Sequence, residues 1–125
     1  MSYTNLEIWK LSNELVRDVH QMTLTKIPSF ELYETGSQIR RSSKSVKSNI
    51  VEGYGRREHK RQFIHFLLIA IGSNDETVDH LETLHITGSL KDDAVYNSLI
   101  SRYRILGKMI NSYIKAVKNN YNKNT

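Results

Sequence analysis

The sequence predicts an all-α protein, an antiparallel up-down four-helix bundle, on three observations. Four segments carry apolar residues at spacings of three and four, and none sustains the period-two alternation of a strand. One proline and six glycines in 125 residues leave those segments largely uninterrupted. The breaks between them are short, and short connections join helices that lie side by side and run in opposite directions. A chain of this length makes one domain, residues 1–118, followed by a polar tail, 119–125, expected to fray.

The first helix is expected to open at Thr4-Asn5-Leu6-Glu7, the spacing of a capping box, with Tyr3 and Ile8 as its hydrophobic staple. Ile8, Leu11, Leu15, Val19 and Met22 form an apolar stripe over about twenty residues. The helix ends before Pro28, whose ring disfavours helical backbone at Ile27. The second helix is expected from Ser29 or Glu31 to Gly53. Its apolar line is thin (Ile39, Val46, Ile50), and Ser42 and Ser43 fill the intermediate turn, so a neighbouring helix must come close. Gly53-Tyr54-Gly55 is expected to break it. A third helix follows from about Glu58 to Ile86, closed by Gly88. The fourth is capped by Asp92 and carries the stripe Val95, Leu99, Tyr103, Leu106, Met109, Ile110, Tyr113 and Val117, ending near Lys118. The chain has no internal repeat.

Composition excludes several classes of function. The chain has no cysteine, which removes disulfides and thiolate metal sites. Met1 to Lys10 lacks the basic-then-apolar pattern of a signal peptide. The longest apolar run, Phe63 to Ile71, is far short of a membrane span. The expectation is a soluble, cytoplasmic protein with no membrane partner and no cofactor. Glu82-Thr83-Leu84-His85 has the Glu-x-x-His spacing of di-metal bundles, but no second copy accompanies it. Glu76, Asp79 and His80 read as a solvated turn. With no nucleophile elbow, phosphate loop or dinucleotide fingerprint, an enzyme is not expected.

The charge is uneven. The chain carries a formal +5, yet Arg40 to Arg61 alone holds eight basic residues against Glu52 and Glu58, and the rest is slightly acidic. Arg40, Lys44 and Lys47 make a stripe along the second helix. Arg56, Arg57, Lys60 and Arg61 put four cations into six residues at the following turn. A solvated helix face would intersperse acids, and Glu58 is the only one there. These seven cations are the candidate nucleic-acid contacts, acting through phosphates and released counterions. Tyr54, inside the turn, is a candidate stacking surface.

Two further groups stand out. Gln38, Arg41, Ser45, Asn49, Glu52 and Arg56 share one polar face of the second helix. They read as a structural network, with Glu52 accepting from Arg41 or Arg56 and Asn49 bonding to the next helix or subunit. That reading is preferred to a ligand site because such networks fix register and partner. Phe63, Ile64, Phe66, Leu67, Leu68 and Ile71 make the start of the third helix apolar on almost every side. A helix without a wet face in so small a bundle implies an interface between copies of the chain.

Several blocks together resemble a known family. Leu6-Glu7-Ile8-Trp9, Ile27-Pro28, and Gln38-Ile39-Arg40-Arg41-Ser42-Ser43 continuing through Asn49-Ile50-Val51-Glu52-Gly53-Tyr54-Gly55-Arg56 carry the likeness. Phe63-Ile64, Phe66-Leu67, Ile69-Ala70 and Gly72-Ser73 extend it. The chain is similar to the four-helix-bundle proteins encoded in 23S rRNA intervening sequences. Departures fall at Glu34-Thr35, at Ser42 and Ser43, and at Asn74, where the family is commonly more apolar or smaller. The resemblance implies an antiparallel bundle assembled as a ring-like homopentamer. It also implies kinship with the accessory variability protein of diversity-generating retroelements, a basic pentamer that engages reverse transcriptase and nucleic acid. Two functions from different classes follow: direct binding of RNA or another nucleic acid, or an adaptor that docks a nucleic-acid-processing protein such as a reverse transcriptase without touching nucleic acid.

Overall fold

The computed structural model of the protein describes residues 2–123. Four long helices account for most of it: α1 (Glu7–Thr25), α2 (Thr35–Gly55), α3 (Lys60–Ile86) and α4 (Asp93–Lys123), with single 3-10 turns at Tyr3–Asn5 and Ser29–Glu31. No strand occurs among the described residues, so the chain is all-α and consistent with a four-helix bundle. Among the same residues no helix is long and apolar enough to cross a membrane.

The helix ends depart from expectation at several points. Thr4 does not cap α1. The Ser2 hydroxyl accepts from the Thr4 N–H at 3.3 Å and caps the preceding 3-10 turn, so α1 begins after Leu6 with no side-chain cap. Tyr3 turns its ring edge-on to Trp9, 5.5 Å away. After Pro28 only a 3-10 turn forms, and non-helical backbone at Glu34 (φ −110°, ψ −114°) delays α2 to Thr35. At the other end α2 passes through Gly53 and Tyr54 and stops at Gly55. Residues 56–59 then complete the turn, with the His59 N–H bonded to the Arg56 carbonyl at 2.9 Å. The expected cap at Asp92 is present: its Oδ1 accepts from the Val95 N–H at 3.1 Å. α4 continues past Lys118 to Lys123, and the rest of the expected tail, Asn124 and Thr125, lies outside the described residues.

The core is filled by residues of the stripes expected for α1, α2 and α4, joined by α3 residues for which no stripe was expected. Leu15, Val19, Ile39, Val46, Ile50, Leu67, Leu81, Leu84, Leu106 and Ile110 are fully buried, and each such side chain contributes about 1.5–3 kcal/mol on leaving water. Polar pairs pin the helices to one another. Ser42 Oγ lies 2.7 Å from Thr77 Oγ1, and Ser45 Oγ 2.8 Å from Ser73 Oγ, between α2 and α3. A Cβ on Gly53 would sit 3.2 Å from Phe66 Cβ and 3.3 Å from the Phe63 carbonyl oxygen, tighter than ordinary contact, so glycine eases that approach. Asn74 donates to the Tyr103 carbonyl at 3.0 Å between α3 and α4, and Arg102 pairs with Asp18 between α4 and α1.

These pairings define two ends. At the first, Lys26 meets Asp92 at 3.1 Å, and Ser89 donates to the buried Glu31 carboxylate at 2.7 Å. Gly88, at φ +79°, takes the left-handed conformation that lets the Leu90 N–H reach back to the Leu84 carbonyl and finish α3. At the second end, Tyr54, Phe63 and Tyr113 join α2, α3 and α4 through edge-to-face ring contacts of 6.3 and 5.8 Å.

The Val95 N–H, and after it the Lys26 ammonium, hold the Asp92 carboxyl below its ordinary pKa of 3.8. A lowered folded-state pKa contributes stability that is fully present above the unfolded value and is lost as pH falls through the folded one. The difference in melting temperature between the wild type and Asp92→Ala is therefore expected to be open at neutral pH and to narrow below pH 3.8 in a thermal-denaturation series. A gap that is constant with pH would contradict this.

Candidate nucleic-acid interface

The cationic turn follows from how α2 ends. Its last carbonyls point out of the helix, and this negative pole attracts cations. Arg57 donates from Nη1 to the Tyr54 carbonyl at 3.0 Å and lays its guanidinium over the Tyr54 ring at 4.4 Å. Arg56 donates from Nε to Glu52 at 2.9 Å and from Nη1 to Gln62 at 3.2 Å, and covers the Phe66 ring at 5.2 Å. Both arginines are solvent-exposed, as are Arg61 and, one helix face away, Lys44; Lys60 is half-buried. A guanidinium offers five N–H donors, so each fixed arginine keeps donors for an outside acceptor.

Two of the seven predicted contacts are otherwise engaged. Arg40 is half-buried and donates to the Leu32 carbonyl at 2.7 Å, tying α2 to the linker that precedes it. Lys47 donates to Asn13 Oδ1 at 2.7 Å and lies 5.6 Å from the Trp9 ring centroid, which ties α2 to α1. The stripe expected along α2 thus contributes Lys44 to the surface, while its neighbours hold helices together. The stacking surface expected at Tyr54 is not available either: the side chain is 7% exposed, and its face is occupied by Arg57.

The polar face of α2 is divided in two. Asn49 donates to the Ser45 carbonyl and hydroxyl at 2.8 and 3.1 Å, and Ser45 carries the link to Ser73 on α3. Glu52 and Arg56 form a second group that extends to Gln62. Arg41 reaches Ser37 instead of Glu52, at 3.5 Å, and Gln38 is exposed.

The apolar start of α3 also separates. Phe63 and Leu67 belong to the chain's own core, at 4% and 0% exposure, and are withdrawn from the predicted interface between copies. Leu68 is 54% exposed, and Ile64, Phe66 and Ile71 are half-buried.

Some features escaped the sequence reading. Lys115 and Lys118 are exposed on α4 beyond Tyr113, the residue that meets Phe63, so they reach the same end as the cationic turn. Only the register of α4 against α3 reveals that. Glu82 approaches Arg104 at 3.9 Å, and His85 stacks on Tyr96 at 3.9 Å with Nε2 3.0 Å from Asp93, so the Glu-x-x-His pair faces two different partners. No group of three His, Cys, Asp or Glu side chains placed to hold a metal occurs among the described residues.

Fold and surface together define a helical-bundle protein with a cationic turn at one end. A model of the 23S rRNA-intervening sequence protein family matches residues 4–112, and the chain belongs to that family. It is also similar to a solved structure from Bacteroides thetaiotaomicron, described as a protein of unknown function from the S23 ribosomal protein family. The two share 26% identity with a TM-score of 0.73, over 86% of this chain and 95% of the other. No match is found among curated proteins.

The division of the cations is testable by unfolding. Arg40→Ala is expected to lower stability by about 1–2 kcal/mol, because a carbonyl in the linker loses its charged donor. Lys44→Ala is expected to stay within about 0.5 kcal/mol of wild type. Urea denaturation followed by circular dichroism measures both, and equal effects would remove the distinction.

Proposed function

We propose that this chain is a non-enzymatic, antiparallel up-down bundle that assembles with copies of itself and binds RNA through its cationic end. The observation that carries the reading is the α2–α3 turn, where Arg56, Arg57, Lys60 and Arg61 crowd six residues and two guanidiniums are held in place by ring faces. Such a surface neutralises phosphates without reading bases, so binding is weakly sequence-selective and steeply dependent on salt. RNA is preferred to other polyanions because the family takes its description from sequences within 23S rRNA.

Self-association, in the ring-like pentamer that the family likeness suggests, is supported by the outer face of α3. Leu68 and Ile69 are 54% and 37% exposed, and Gly72, one turn on, has no atom within 4 Å of where a Cβ would stand. A glycine inside a helix costs about 1 kcal/mol relative to alanine, a loss that close packing by a second copy would offset. A ring would bring several cationic ends together, and avidity then makes weak contacts effective.

The adaptor reading has its own support at the opposite end, where Leu24, Phe30, Tyr33 and Ile86 are 55–84% exposed. An apolar rim of this kind suits a protein partner.

RNA retention at low salt is expected in a filter-binding assay. The Arg57→Glu, Lys60→Glu double variant should bind more weakly and reduce the slope of log affinity against log salt by about 2. Wild-type protein that retains no RNA, alongside a protein partner captured after nuclease treatment, would favour the adaptor. For assembly, light scattering should give a mass several times that of the 14.5 kDa chain. Leu68→Lys should lower that mass while leaving the far-ultraviolet spectrum unchanged. A wild-type protein with the mass of one chain would overturn self-association.

A further inference from the structure

We infer that copies of the chain join head to tail, the α3 ridge of Ile64, Leu68 and Gly72 on one copy seating in the groove between α1 and α4 of the next. The inference rests on the reading of the outer face of α3 as a self-association surface.

The two surfaces differ in shape. Ile64, Leu68 and Gly72 recur every four residues and share one face of α3. Leu68 stands out from it at 54% exposure, and a Cβ added to Gly72 would meet nothing within 4 Å. On the α1 side of α4 lies a groove of about 580 Å³, walled by Leu6 and Ile8 at the start of α1 and by Ile105, Met109 and Tyr113 of α4. Ile105, in the middle of α4, is 51% exposed. Apolar surface held in water at two places on one molecule is covered at both when one fills the other. A ridge also packs more closely into a groove than against a second ridge.

The ridge and the groove stand at the same height. Phe63 meets Tyr113 at 5.8 Å and Asn74 donates to the Tyr103 carbonyl, so residues 64–72 of α3 are level with residues 105–112 of α4. A contact between two different patches at one height turns each copy relative to the last without displacing it along the helices. Repeated, such a contact closes a ring, whereas a shift along the axis would build a filament.

The flanking charges agree with this seating. Arg102 pairs with Asp18, so Glu7, eleven residues before Asp18, is level with Tyr113, eleven residues after Arg102. Glu7 and Lys108 both line the groove. The ridge is bracketed by Arg61, three residues before Ile64, and Asp75, three residues after Gly72. Arg61 therefore comes to Glu7 at the cationic end, and Lys108, farther from that end, lies toward Asp75. Opposite signs at fixed places favour one register and disfavour the others.

Full-length His65→Cys and Ser112→Cys variants test the seating, since the chain has no cysteine of its own. Both positions are exposed, His65 beside Leu68 and Ser112 on the groove wall, so fold and mass should be retained by circular dichroism and light scattering. Mixed and treated with a short bismaleimide, the two variants should give a cross-linked pair that neither gives alone. Leu68→Lys added to the His65→Cys chain should abolish that product. A chain carrying both cysteine substitutions should give a ladder of products that stops at the number of copies in the ring; a ladder that runs on would overturn closure. Cross-linking of His65→Cys to itself, or no product while the mass stays at a multiple of one chain, would overturn the seating and leave self-association standing. A wild-type protein with the mass of one chain would overturn both.

Discussion

Along α2, Ser42, Ser45 and Gly53 set small groups against α3, and the seam is close at those positions. Close approach buries hydroxyls, and a buried hydroxyl left unbonded costs about 1–3 kcal/mol. The facing residues of α3 answer that cost: Thr77 meets Ser42, and Ser73 meets Ser45. Two polar contacts of fixed spacing then allow one register and oppose a slide by a helical turn. The same register brings Gly53 against Phe63 and Phe66. Everything at the cationic end inherits its position from this seam, because the turn at 56–59 must bridge two helices already brought together.

The energetics of that end are those of partial commitment. Each arginine spends some of its donors inside the molecule and keeps the rest. Its side-chain entropy, which would otherwise be lost on meeting a ligand, is largely lost on folding. The ion pair of Arg56 with Glu52 is exposed on both sides and adds little stability by itself. Its effect is directional: the pair aims the guanidinium along α2 and over Phe66. Arg40 and Lys47 show the opposite balance. Their charges serve a linker carbonyl and Asn13, and their contribution lies in holding helices.

Periodicity made the four helices legible because an amphipathic stripe at spacings of three and four has few other meanings. The Asp92 cap was legible for a similar reason, a short acceptor standing just before an apolar repeat. Termini governed by competition were not. Ser2 caps a 3-10 turn ahead of α1, which leaves the helix that Thr4 was expected to cap without a side-chain cap, and the backbone at Glu34 delayed a helix that composition alone would start after Pro28. For the surface, sequence spacing showed which cations share a side of α2, but not what passes over that side. The linker at Leu32 and the α1 residue Asn13 come from elsewhere in the chain, so Arg40 and Lys47 looked free. Phe63 and Leu67 were read as outward-facing because nearly every residue around them is apolar. Where one side of a helix is not distinguished by polarity, only packing decides which residues turn in. Tyr54 was misplaced by the glycines flanking it, which suggested a break where the helix in fact continues.

The bond between Glu31 and Ser89 joins two connections that are far apart in sequence. Linkers are ordinarily where a bundle is most easily nicked or tolerates an insertion, since little holds them beyond their own ends. Here the stretch before α2 and the stretch after α3 are latched through a buried carboxylate, so loosening either one exposes a charge and disturbs the other. Among the described residues the turn at 56–59 is bonded only to the two helices it joins, and its residues all face water. A trypsin-like protease would find its first bonds there, after Arg56 and Arg57, and a peptide tag spliced into the chain would be least disruptive there for the same reason.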